Sequence, residues 1–431
     1  MIQRKPFTKT DIFILSAILL IAAAGYAFMN RAAGEGGLNA LIYLDGELME
    51  TVSLDRDSAF SLETLPGVGF AVKDGAAAIV RSDCPDQLCV HMGWQRSPAG
   101  FSACLPNRVT LVIEEARSAE YQRIFTDLFD TTVVFRAAAK NPEEFDAYAD
   151  AVSDELGRLH KLFDVYNDYD GLNNLKTVNA QAGVSAVEAD AELLDLIELG
   201  IEAYEKSGGA VNIAMGACLS IWHDYREDGT AVPPAEALRQ AALHTDIEDV
   251  IIDREAGTVF LRDPEMSLDA GALAKGFAVE RAMERATEAG MEAGLINAGG
   301  NVRTAGTPSD DRDGWNVGIQ SPELTGFDDG NLAGAVRVKD AAVVTSGDYQ
   351  RFYTVDGIRY HHIIDPETLM PARRYSSVTV IHPDSGIADM LSTALFIMPI
   401  DRGKALLSEY GGEAMWIYPG GAAEMTANFG S

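Results

Sequence analysis

At 431 residues, 47% of them hydrophobic and 23% charged, the chain has room for two or three domains with large cores, and wholesale disorder is excluded. Its net charge of −31 argues against nucleic acid as a partner, because phosphate contacts need clustered Lys and Arg, and against electrostatic adhesion to anionic lipid. Four cysteines are too few for a disulfide-dense scaffold.

In chain order, Arg4, Lys5 and Lys9 precede an apolar run over 12–29. That run, of about 18 residues, is near the lower limit for spanning a bilayer as a helix. Basic residues on its N-terminal side place the N-terminus in the cytoplasm and the rest of the chain outside. The expectation is an uncleaved single-pass anchor within 1–37, in the cell membrane. A cleaved signal peptide ending at small residues near 22–24 is the rival. No cysteine closely follows the run, which gives no support to a lipoprotein anchor. Gly34, Gly36 and Gly37 read as a short linker.

A small all-β domain is expected over 38–118. Apolar residues at 41–44, then Asp45-Gly46, then Leu48 onward read as strand, tight turn and strand. The stretch Val72-Lys73-Asp74-Gly75-Ala76 repeats the signal, and VTLVI at 109–113 is a closing strand. Its chemistry is concentrated in Cys84, Cys89, His91 and Cys104. These could hold a metal. The gap between Cys84 and Cys89 is long for a zinc knuckle, and thiols outside the membrane oxidise, so one disulfide with a thiol left over, or a structural cluster, is preferred. The pattern CPDQLCVHMGW…CLPN resembles the NusG domain-II-like family of extracytoplasmic modules. That resemblance carries no expectation of RNA polymerase binding, which the acidity and outward orientation disfavour.

A larger α+β domain is expected over 126–431. NPEE at 141–144 marks a helix start. Phe145, Tyr148, Val152, Leu156, Leu159 and Phe163 then recur at three- and four-residue spacing, the signature of an amphipathic helix. Leu193, Leu196, Ile197, Ile201 and Tyr204 mark a second, ended by Lys206 and Ser207-Gly208-Gly209. Strand-like runs fall at 250–252, 258–261, 294–296 and 377–381. Cys218, between Ala217 and Leu219, reads as a buried core thiol.

Four stretches carry chemistry. In SLDAGALAKG (267–276) a strand is expected to end at Asp269, with small residues before a helix. Free N–H groups there suit a phosphate, and Lys275 adds a point charge; close packing explains the small residues equally well. In LINAGGN (295–301) paired glycines permit close backbone approach, or make an ordinary turn. TSGDY (345–349) is followed by HHIIDP (361–366), where adjacent histidines in a strand point to opposite faces, so that one can serve proton transfer. Asp389 and Thr393 share one helix face, and their oxygens could hold a hard cation. A Thr merely bonding the backbone one turn back is the plainer alternative.

Taken in order, LDAGALAKG, NAGGN, TSGDY, HHIIDP and ADMLSTAL resemble blocks of the ApbE family of FAD:protein FMN transferases. The resemblance spans about 126–425. It implies an α+β fold, FAD as substrate, Mg²⁺ as cofactor, and transfer of FMN to a Thr or Ser hydroxyl of a partner protein with release of AMP. It implies FAD contacts at Asp269 and Lys275. It implies metal ligation by the Ala272 main-chain carbonyl, Asp389 and Thr393. His362 is implied as catalytic base or FAD contact. Tyr166 and Ala210-Val211-Asn212 match segments lining the flavin and adenosine pocket. The chain departs from the family at Val211-Asn212, where many members have Phe-Asp, and at Asp130-Thr131-Thr132. No stretch resembles the family's acceptor motif, so the acceptor is expected to be another protein, a membrane-associated redox subunit. Two other readings use the same site: a pyrophosphatase cutting FAD to FMN and AMP, and a non-catalytic flavin-binding module.

Overall fold

The computed structural model describes residues 38–54, 56–115, 120–139, 142–308, 313–322 and 332–430. The expected anchor lies outside them. Among the described residues no helix is long and apolar enough to cross a membrane.

Residues 38–115 form two small antiparallel sheets. One runs Glu47–Ser53, Leu38–Leu44, Val109–Glu115, Phe101–Cys104; the other runs Ser58–Leu62, Leu65–Lys73, Ala76–Arg81. Both Asp-Gly turns form as the sequence dictates. Asp45 and Gly46 have φ of 54° and 82°, Asp74 and Gly75 of 50° and 75°, the mirror-image turn whose twist matches a hairpin. The two sheets enclose Ile42, Phe70, Ile79 and Leu111. The run ALIYL is apolar without alternation because both faces of its strand are covered. Ala40 and Ile42 enter the small core, whereas Leu41 and Tyr43 pack with Val112 on Ile124 and Val134 of the larger domain. The contact therefore joins the two domains through apolar side chains rather than a bare linker.

The larger domain is built on an eight-stranded, wholly antiparallel sheet. Its order is Ala423–Met425, Glu413–Ile417, Ser377–His382, Ala342–Gly347, Asn301–Ala305, Gly294–Ala298, Thr131–Ala138, Glu120–Leu128. Alternation divides its two faces. Phe135, Ile296, Val344 and Trp416 meet the helices Pro142–Leu162, Ala274–Glu288 and Ser385–Ile397. Leu295, Val302, Val343 and Met415 meet the hairpin Trp315–Gln320/Leu332–Val338. The small domain lies on this second face at the other end, over Ile124 and Val134.

The amphipathic helix comes out at Pro142–Leu162, with Phe145, Tyr148, Val152, Leu156 and Leu159 buried. Helix Ala191–Ser207 stops at Gly208, left-handed at φ 61°. One local expectation is corrected. No strand ends at Asp269: the stretch makes a single parallel bridge, Met215 with Ser267. Asn179 explains why. Its side-chain oxygen accepts from Leu268 N (2.7 Å) and its amide donates to Leu268 O (2.9 Å), filling the place a neighbouring strand would take.

Candidate active site

A cleft of about 1290 Å³ opens in the larger domain and extends to the small one. Tyr166, Ala210, Val211, Asn212, Asp269, Ala272, Lys275, His362, Asp389 and Thr393, drawn from five stretches of sequence, all border it. None of the ten is placed elsewhere.

The centre is made by two helices held unusually close. A Cβ on Gly276 would lie 2.3 Å from the Ser385 carbonyl oxygen and 2.4 Å from Asp389 Cβ, closer than real contacts allow. Only glycine lets helix Ala274–Glu288 rest here on helix Ser385–Ile397. The approach brings the Gly276 N–H to Asp389 Oδ2 (2.7 Å) and Lys275 Nζ to Asp389 Oδ1 (3.8 Å). Gly276 lies in the first turn of its helix, where N–H groups lack an acceptor one turn back, so its N–H is free to serve the carboxylate; the Ala272 carbonyl, just before the helix, accepts no main-chain hydrogen bond among the described residues. Asp389 is 6% exposed. Burial pushes its carboxyl up and the Lys275 ammonium down, each partly offset by the other.

Thr393 does not bond the backbone one turn back. Ser392 Oγ takes the Asp389 carbonyl at 2.9 Å. The Thr393 hydroxyl has only a long contact, 3.4 Å, with Ser346 Oγ. A carboxylate, a main-chain carbonyl and a weakly engaged hydroxyl are hard oxygen donors. They suit Mg²⁺, which takes few protein ligands and keeps waters.

The adjacent histidines do diverge. His361 is buried and satisfied at both nitrogens: Nε2 donates to the Ala372 carbonyl (2.6 Å) and Nδ1 accepts from Ile363 N (3.2 Å). Burial pushes it down to about 4. A folded-state pKa below the usual value of 6.5 gives stability that is present above pH 6.5 and lost as pH falls toward 4. His361→Gln should therefore flatten the acid loss of stability by up to about 3 kcal/mol, measured by urea unfolding at pH 7 and pH 4.5; an unchanged difference between the two pH values would refute this.

Both histidines border the cleft, but among the described residues His362 leaves one ring nitrogen unoccupied. Its ring Nδ1 lies 3.3 Å and its main-chain N 3.1 Å from the Arg351 carbonyl. A carbonyl only accepts, so Nδ1 carries the proton and Nε2 keeps a free lone pair. Burial, with Arg351 and His361 beside it, pushes His362 down to about 3.

Two residues that line the cleft were missed by sequence reasoning, Arg226 and Arg351. The Arg351 guanidinium reaches the carbonyls of Phe129 and Asp130, at 3.5 and 3.3 Å. Arg226 meets His223 Nδ1 at 2.7 Å. Among the described residues neither forms a salt bridge with a carboxylate, although the chain holds 65 acidic residues and Glu227 and Asp269 lie near enough to attract Arg226. Burial, and then the like charge of Arg351, lower Arg226. Converging, unpaired guanidiniums in an acidic protein mark a place for an anion. Arg226 gave no signal because it sits in the acidic string DYRED; Arg351, two residues beyond TSGDY, was within reach.

Some expected contacts are spent inside the fold. The Asn212 amide donates to the Thr245 carbonyl and its oxygen accepts from Ala214 N, both at 2.9 Å. Val211 is buried in the main core. Tyr166 is 55% exposed and lies against His223, ring centroids 5.1 Å apart, leaving its outer face open. Gly299 and Gly300 (φ 57° and 91°) form a two-residue hairpin turn between Ala298 and Asn301.

The chain belongs to the ApbE family, whose model matches residues 129–416. A second model, NusG domain II, matches residues 12–117. The chain is 39% identical over 259 residues to an FAD:protein FMN transferase of Treponema pallidum, covering 57% of this chain and 70% of that one. It is 33% identical over 258 residues to an FAD:protein FMN transferase of Klebsiella pneumoniae, covering 58% and 78%. The crystal structure of the ApbE protein of Thermotoga maritima superposes with a TM-score of 0.64 at 29% identity, covering 72% of this chain and 98% of that one.

Proposed function

We propose that this chain moves FMN from FAD onto a Thr or Ser hydroxyl of an acceptor protein and releases AMP. The observation that carries the reading is the convergence of all ten anticipated residues on one cleft, with three cations around it that an anionic diphosphate would satisfy.

Lys275, Arg226 and Arg351 hold the diphosphate, and the exposed face of Tyr166 offers a ring surface to the flavin or adenine. Mg²⁺, held by the Ala272 carbonyl, Asp389 and Thr393, would supply Lewis-acid charge to the diphosphate. The acceptor hydroxyl oxygen bonds to the FMN-side phosphorus while the bond to the AMP-side bridging oxygen breaks. The hydroxyl proton passes to His362 Nε2, already free because Nδ1 is tied to Arg351. The basic segment before the apolar run at 12–29 supports an extracytoplasmic enzyme acting on a membrane-associated redox protein.

The test is intact mass of a Thr-containing acceptor peptide after incubation with FAD and Mg²⁺. The gain of one FMN supports transfer; free FMN and AMP without an adduct supports hydrolysis instead. Arg226→Gln and Arg351→Gln should each weaken FAD binding about tenfold to a hundredfold, as loss of a charged hydrogen bond of roughly 1.5–3 kcal/mol predicts. Titration calorimetry reads this, and unchanged affinity in both variants would remove the diphosphate from this position.

A further inference from the structure

A second constellation lies outside the catalytic centre. Cys84, Cys89 and Cys104 are all buried, unpaired, and place their Sγ atoms within 4.8 Å of one another. The expectation of a disulfide with one thiol over is not met: Cys84 and Cys89 Sγ are in non-bonded contact at 3.5 Å. The thiols come from two segments, the loop around the short helix Leu88–His91 and the end of strand Phe101–Cys104.

The surroundings treat the sulfurs as electron-rich acceptors. Asn107 Nδ2, which can only donate, points at Cys104 Sγ from 3.4 Å, and its other contacts with Ser82 Oγ (3.1 Å) and Asp83 Oδ1 (2.8 Å) tie the two segments together. Ser82 Oγ lies 3.4 Å from the same sulfur. Gln87 Nε2 is fixed by the carbonyls of Ser82 and Cys84 (2.8 and 2.6 Å) at 4.0 Å from Cys84 Sγ. Donors fixed around ligand atoms are what a metal site uses to orient its thiolates.

We propose that Cys84, Cys89 and Cys104 form a three-thiolate site for a thiophilic d¹⁰ cation, Zn²⁺ or Cu⁺. Tetrahedral zinc with bonds of about 2.3 Å separates its sulfurs by roughly 3.8 Å, a spacing inside the observed range. A disulfide would use two sulfurs and give the third, with its aimed amide, nothing to do. Three buried thiolates without a cation would be prohibitively costly, so cation binding and deprotonation go together. No fourth His or carboxylate joins the group among the described residues. Copper would be complete with three sulfurs, while zinc would keep one position for an external ligand. All three cysteines border the same cleft as the catalytic residues, so that position is reached from the cleft. The proposal does not rest on the transferase reading.

The test uses the full chain, reduced, stripped with EDTA and desalted without oxygen. One equivalent of Zn²⁺ or Cu⁺ is expected to bind, with Co²⁺ in place of Zn²⁺ giving thiolate charge-transfer absorption. Bound metal should protect three of the four thiols from alkylation, counted by mass. Cys104→Ser should weaken binding at least about a hundredfold, and Asn107→Ala about tenfold, the usual range for an outer partner. Cys218→Ser, in a separate core, should leave stoichiometry unchanged. A reduced chain that takes up neither metal, or that shows no protection of the three thiols, overturns the proposal even if the serine variants fail to fold. The separation of Zn²⁺ from Cu⁺ titrations identifies which cation the site holds.

Discussion

Asp389→Asn should lower FMN transfer roughly a thousandfold while leaving the protein folded. The amide matches the carboxylate in volume, and its oxygen can still accept from the Gly276 N–H, so the close contact between helices Ala274–Glu288 and Ser385–Ile397 persists. What is lost is the negative charge that faces Lys275, its one acidic partner among the described residues, and the only anionic member of the proposed oxygen set. Stability should change little. Burial already pushes the Asp389 carboxyl up, so the ionised form is costly until a cation is bound, and removing it relieves that cost. Lys275 keeps contact with solvent, its side chain being 28% exposed. The shift in Tm should stay within a few degrees, corresponding to about 1 kcal/mol. The acceptor mass assay and a thermal scan read the two effects separately. Full transfer by this variant would refute the metal assignment; a large loss of Tm would show that the carboxylate serves the fold.

Much of the fold was legible where local chemistry decides it. The Asp-Gly turns need positive φ twice in succession, and the helix Pro142–Leu162 shows its buried face in its spacing. The hairpin beginning Trp315–Gln320 was missed although its signal was present: Trp315, Val317 and Ile319 are buried, and the residues between them are not. The sheet order was not legible, because neighbours such as Thr131–Ala138 and Gly294–Ala298 are joined across a long stretch of chain. Nor could periodicity show why residues 38–44 are apolar without alternation; that needs a second domain on the strand's outer face.

The residues that share the cleft were legible for a different reason. They sit where backbone geometry is constrained, as at Gly276, and such constraints leave patterned words in the sequence. Arg226 and Arg351 obey no such constraint. A long flexible side chain can reach the cleft from many positions, so its role is fixed by the fold alone. The same reasoning separates the two histidines. Only coordinates show that His361 has both nitrogens occupied in the core and that His362 has one free toward the cleft.

His362→Asn should reduce the rate of transfer about 10²–10⁴-fold, the usual yield of a positioned general base, with FAD affinity changed far less. The pH profile distinguishes proton transfer from mere positioning. Transfer needs neutral imidazole, so the rate falls as pH drops through the His362 pKa. In the free protein that pKa is pushed down to about 3 by burial and by Arg351, with Arg226 adding to the effect. The acid limb of kcat/KM, which reports the free enzyme, should therefore lie at low pH. Bound FAD places a diphosphate among the same cations, compensates their charge and favours protonated imidazole. The acid limb of kcat, which reports the complex, should accordingly lie at higher pH than that of kcat/KM, and the variant should lack it. This ordering follows from the cations around the ring and not from the histidine alone, so Arg351→Gln should narrow the gap between the two limbs. An acid limb of kcat that survives unchanged in His362→Asn would assign the proton to another group and leave His362 a contact to FAD.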